Sequence, residues 1–123
     1  MKLFCMTFAA VMAAGFSASA FNYECTGGSF DPVTVEVKSK STLVINGKDN
    51  AKIDKEYAER NPEKKSYRLI GSFETLGDGS EGYSVSVAVS KHMFTGGNVA
   101  YLNTYVRGPD GYYSDSYKCV RAR

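Results

Sequence analysis

The sequence predicts an all-β protein, a small antiparallel β-barrel or sandwich of about eight short strands whose ends are joined by a disulfide. Three observations predict it. Alternating apolar and polar residues recur at close spacing, as in Val33-Thr34-Val35-Glu36-Val37 and Val85-Ser86-Val87-Ala88-Val89. Turn residues separate these runs, among them Asn46-Gly47 and Gly108-Pro109-Asp110-Gly111. Two cysteines, Cys25 and Cys119, stand near the two ends of the part that follows an export leader.

The leader is residues 1–20. Lys2 gives it a positive start, an apolar stretch runs from Leu3 to Phe16, and Ala18-Ser19-Ala20 forms a small-residue cleavage site. That stretch falls short of the roughly 20 residues a helix needs to span a bilayer. Cleavage is expected after Ala20. It leaves a single exported domain, 21–123, with no transmembrane anchor, in the periplasm or outside the cell. Cys5 lies inside the apolar stretch and leaves with the leader.

Cys25 and Cys119 then have one intramolecular pairing in an oxidising compartment; free thiols or an intermolecular bridge are the alternatives. The pairing puts the two Cα atoms about 5.5–6 Å apart. Restricting the unfolded chain over so long a loop stabilises by up to roughly 4–5 kcal/mol. First and last strands must therefore meet. This favours a closed barrel over an open sandwich, because closure removes the exposed sheet edges.

The elements follow in order. Phe21, Tyr23 and Cys25 share one face of a first strand, which Gly27-Gly28 ends. Val33–Lys38 forms the second. Thr42–Asn46 is the third, and Asn46-Gly47 supplies the positive-φ pair of a tight hairpin into Ala51–Asp54. Lys55–Ser66 is a polar excursion with at most a turn or two of helix, stopped by Pro62; its charges read as a solvated face. Strands resume over Tyr67–Phe73. After the loop Gly77–Gly82 comes a strand in which Tyr83, Val85, Val87 and Val89 alternate with Ser84, Ser86, Ala88 and Ser90. In Val99–Arg107, Ala100, Leu102 and Val106 share one face; Tyr101, Asn103, Tyr105 and Arg107 share the other. Gly108–Gly111 turns the chain into the last strand, Tyr112–Val120.

Charge is near balance. Of the formal +2, Lys2 contributes one, so the exported part carries +1. That is no footprint of a nucleic-acid binder. His92 is the one histidine, and no orienting partner lies near it in sequence, so no nucleophilic triad is expected. Neither metal spacing nor a phosphate loop occurs, so no cofactor and no metal are expected. The chain reads as a non-enzyme.

The suggestive feature is the outward face of Val99–Arg107. Tyr101, Tyr105 and Arg107, with Tyr112 and Tyr113 beyond the turn, make a contact patch of the residue types enriched at interfaces. The alternative is that, without tryptophan, tyrosines simply cover the outside of a small β-domain.

The two ends also carry a resemblance. Tyr23-Glu24-Cys25-Thr26-Gly27-Gly28 and Tyr117-Lys118-Cys119 resemble the ends of the periplasmic and membrane-bound inhibitors of C-type lysozyme, which are small exported β-barrels. Between the ends, Ser80-Glu81-Gly82-Tyr83 is similar to that family's serine-glycine loop leading to a tyrosine. Phe94-Thr95-Gly96-Gly97, before Ala100 and Leu102, is similar to its aromatic-lysine-glycine segment. Two departures stand out: an extra residue separates Ser80 from Gly82, and no lysine follows Phe94. The resemblance implies a partner-binding inhibitor, with Ser80 as the carried-over contact. Lys91 is the nearest lysine, but it precedes the aromatic. The expected contact residues are therefore Ser80, Tyr83, Lys91, Tyr101, Tyr105 and Arg107. Their partner is expected to be an extracytoplasmic protein or glycan. A structural, envelope-associated role is the alternative.

Overall fold

Each alternating run becomes a strand, and the apolar half of each run turns to a common interior. The structure, a computed structural model, describes residues 21–28, 31–76 and 82–122. The strands are β1 (Phe21–Thr26), β2 (Val33–Val37), β3 (Thr42–Ile45), β4 (Asp49–Ile53), β5 (Ser66–Gly71), β6 (Ser84–Ser90), β7 (Val99–Gly108) and β8 (Gly111–Arg121). A short helix, α1 (Lys55–Arg60), sits between β4 and β5. Neighbours in sequence pair antiparallel throughout, and β8 returns to β1, closing an eight-stranded meander barrel. The barrel is realised, not the sandwich.

The closing seam runs through the disulfide. Cys25 and Cys119 are direct cross-strand partners, bonded to each other, with Cα atoms 3.9 Å apart. The separation is smaller than the spacing expected for a bridge between independent segments. Adjacent antiparallel strands already hold facing residues at about 4.5–5.5 Å, and this bonded pair stands closer still. Tyr23 and Tyr117 flank the bridge inside the barrel, 1% and 2% exposed. Around them pack Val35, Leu43, Ile45, Leu69, Val89 and Leu102.

The Asn46-Gly47 turn forms as expected: φ is 54° at Asn46 and 70° at Gly47, and Lys48 N donates to Ile45 O at 3.1 Å. Two boundaries differ from the sequence reading by two residues. β4 starts at Asp49, because this tight turn returns the chain at once into register with Ile45. β5 ends at Gly71, short of Phe73. There the chain leaves the sheet, buries Phe73, and makes a 3-10 turn over Glu74–Leu76. Buried Asp49 holds that turn, its carboxylate accepting from Thr75 N at 3.0 Å and from the Thr75 hydroxyl.

One end of the barrel is plugged. Lys91–Thr95, which follows β6, is a 3-10 turn that drives Met93 fully into the core. Beside it Tyr23 Oη donates to Gly97 O at 2.7 Å, and Phe94 meets Tyr67 edge to face.

A candidate binding trough on the outer face

The site begins with three small side chains. On β6 the outward positions are Ser84, Ser86 and Ala88, so the middle of this strand carries almost no bulk on its outer face. Strands on either side carry long residues at the paired positions. On β7, Arg107 stands opposite Ser84 and Tyr105 opposite Ser86; on β5, Arg68 stands opposite Ala88. Neighbouring strands are about 4.8 Å apart, so the two walls rise roughly 9.6 Å from each other with β6 as the floor. The result is a trough of about 730 Å³.

Each wall is built differently. On the β7 side, Tyr112 of β8 pairs with Arg107 and lies diagonal to Tyr105. The two tyrosine rings are tilted by 32° with centroids 6.4 Å apart, forming one aromatic platform. The opposite wall depends on α1. Asp54 caps that helix by accepting from Tyr57 N at 3.1 Å, and Asn61 donates back to Tyr57 O at 2.9 Å. Tyr57 is thereby held where the Arg68 guanidinium lies over its ring, 5.5 Å from the centroid. Asp54 approaches Arg68 at 3.9 Å from behind. Lys64 completes this wall.

Electrostatics give the trough a sign. Its lining holds three cations, Lys64, Arg68 and Arg107, and no carboxylate. Arg68 is partly neutralised by Asp54, whereas the Lys64 and Arg107 side chains have no ion-pair or hydrogen-bond partner among the described residues. The Ser84 and Ser86 hydroxyls likewise make no hydrogen bond among the described residues. Ser90, at the foot of the same face, is used internally: its hydroxyl accepts from Tyr101 N at 2.6 Å. Arranged this way, the trough can bind and orient an anionic chain. Its lining holds neither a carboxylate nor a histidine.

The expected contact residues separate in space. Tyr105 and Arg107 come together in the trough. Tyr101 lies on the same face of β7 but about 13 Å from Tyr105 along the strand, beside exposed Val99 and Val120. Tyr83 lies just before β6 instead of within it, and it is locked. Its ring covers Gly108, leaving no room there for even a methyl group, and its hydroxyl donates to Asp110 at 3.0 Å. That bond raises the Tyr83 pKa above the ordinary tyrosine value. Lys91 follows β6 at its other end. It donates to Pro62 O at 3.3 Å and stands over the Tyr67 ring, tying the segment after α1 to the barrel. Tyr83 and Lys91 are therefore a whole strand apart, about 26 Å by strand rise. Ser80 and the leader lie outside the described residues.

Sequence reading missed Tyr57 and Lys64, because the segment 55–66 looks like a solvated excursion when taken alone, and Arg68, because its outward place on a strand does not say which residues stand beside it. It also missed the floor. The available signal was the run Ser84, Ser86, Ala88 on one face of a strand between two strands rich in large residues.

A second hollow, about 660 Å³, opens at the end of the barrel where β6 starts, between Thr104, Val106 and Tyr117. Asp31 is the one charged residue among its described lining. Among the described residues no three His, Cys, Asp or Glu side chains gather as metal ligands, and no helix is long and apolar enough to cross a membrane. No family model, curated protein or solved structure matches the chain.

Proposed function

We propose that the chain is an exported, disulfide-closed binding module that holds an extracytoplasmic partner in the outer trough and performs no chemistry on it. One observation carries this reading: a groove walled by three tyrosines and three cations, with no carboxylate in its lining. All three cations are exposed to solvent in one groove, so an anionic partner that docks there gains charge-assisted hydrogen bonds with them. Tyrosine and arginine side by side are the residue types that carry binding energy at interfaces.

Co-sedimentation with isolated cell-envelope material tests the reading. Wild type is expected to co-sediment, and Ser86→Phe, which fills the floor, is expected to stay in solution. Equal sedimentation of the two would remove the trough from the account.

A narrower version makes the partner a lysozyme-type enzyme. The tyrosine-flanked terminal cysteines and the small barrel favour it. Under this version the protein inhibits C-type lysozyme at micromolar concentration and Arg107→Glu does not. Absence of inhibition by wild type would remove the lysozyme version and leave the wider one standing.

A further inference from the structure

We propose that the occupant of the trough is an acidic polysaccharide, a glycan chain bearing an anionic group at intervals along its length. This rests on the outer trough being the partner-binding surface. The shape calls for a chain, because the trough follows the outer face of β6 from Ser84 to Ala88. The cations are distributed along it. Arg107 stands opposite Ser84 and Arg68 opposite Ala88, about 13 Å apart along the strand and on opposite walls, with Lys64 further on. A single compact anion would reach one of them. A chain with repeated charge reaches all three.

The remaining surfaces suit sugar rings. The Tyr105–Tyr112 platform presents the electron-rich faces of two rings, against which the C–H faces of a pyranose pack. The floor presents the Ser84 and Ser86 hydroxyls, each free among the described residues to donate to and accept from a ring hydroxyl.

Two other polyanions fit less well. An extended acidic peptide gains its main affinity by adding a strand to a sheet edge, and this barrel has no edge: every strand is paired on both sides. A nucleic acid needs a strong basic field, and the exported part carries only +1 once Lys2 is removed from the formal +2.

Titration calorimetry on protein expressed from the full sequence into an oxidising compartment tests the assignment. The probes are an oligogalacturonate, a malto-oligosaccharide of matched length, a poly-glutamate peptide and an oligothymidylate. Oligogalacturonate is expected to bind, and its binding to weaken as salt rises. The neutral glycan is expected to bind at least about tenfold more weakly, having lost its charge-assisted bonds. Arg107→Gln and Ser86→Phe are each expected to weaken oligogalacturonate about tenfold, and Tyr101→Ala to leave it unchanged. Arg107→Gln alters only an exposed side chain, so the assignment stays testable if Ser86→Phe misfolds. Poly-glutamate or oligothymidylate binding as tightly as oligogalacturonate would overturn the glycan assignment. So would a lack of oligogalacturonate binding while wild type still co-sediments with envelope material and Ser86→Phe does not; the binding surface then stands and the ligand class falls. Oligogalacturonate binding that neither variant changes would overturn both.

Discussion

Tyr23 and Tyr117 sit two residues before Cys25 and Cys119, so their rings bracket the bridge from the two ends of the barrel. Burial raises both phenol pKa values above the ordinary 10.0. Folding therefore favours the protonated phenol. That stability is complete below the unfolded value near pH 10 and is lost as pH rises through the raised folded values. Urea unfolding at about pH 8 and about pH 11 should show a lower midpoint at the higher pH, with a smaller drop in Tyr23→Phe. At neutral pH the same variant loses the bond to Gly97 O and should be less stable by about 0.5–1.5 kcal/mol. An unchanged alkaline drop in the variant would contradict this role for Tyr23. The alternation around Cys25 already placed Tyr23 on the interior face. Its hydroxyl partner was not legible, because Gly97 is 74 residues away.

At the scale of elements, α1 matters more than its length suggests. It packs against β5 and buries none of its own residues fully, so its contribution to the core is small. Its contribution to the trough is one wall. Asp54→Ala removes the cap on Tyr57 N together with the carboxylate behind Arg68. Losing the cap should cost about 0.5–2 kcal/mol of local helix stability. Amide exchange should accelerate over α1 while β6 and β7 keep their protection, and the ring resonances of Tyr57 should broaden or move. Equal acceleration throughout the barrel would show that α1 is part of the fold's support.

The strands themselves were readable from period-two alternation, since one face of each meets the core. The trough was not readable that way. Alternation says which residues face outward, but only the register between strands sets Ser86 beside Tyr105 and Ala88 beside Arg68. The same limit explains the scatter of the expected contacts. Tyr83 and Lys91 look equally available in sequence, yet each is committed to holding one end of β6 in place. Tyr105 and Arg107 were found because two successive outward residues on one strand must share a surface.

For the whole molecule, closure follows from the ends. The disulfide spans 94 residues and locks β1 to β8, so the unfolded chain is restricted over nearly all of residues 21–123. Breaking it should lower stability by up to roughly 4–5 kcal/mol, read as a shift in the denaturant midpoint between oxidised and reduced, alkylated protein. Sulfurs that alkylate freely in native protein without reductant would contradict the closed seam. A closed barrel also has consequences for binding. With no edge to extend and one end plugged by Met93, a long partner has the outer face open to it, and β6 is where that face is hollow.

That placement is the centre of the account, and tyrosine ring resonances test it most directly. During titration with oligogalacturonate, the rings of Tyr57, Tyr105 and Tyr112 should shift together and saturate, while those of Tyr101 and Tyr113 stay still. Saturating shifts at Tyr101 or Tyr113 with the trough rings unmoved would place the partner elsewhere on the barrel.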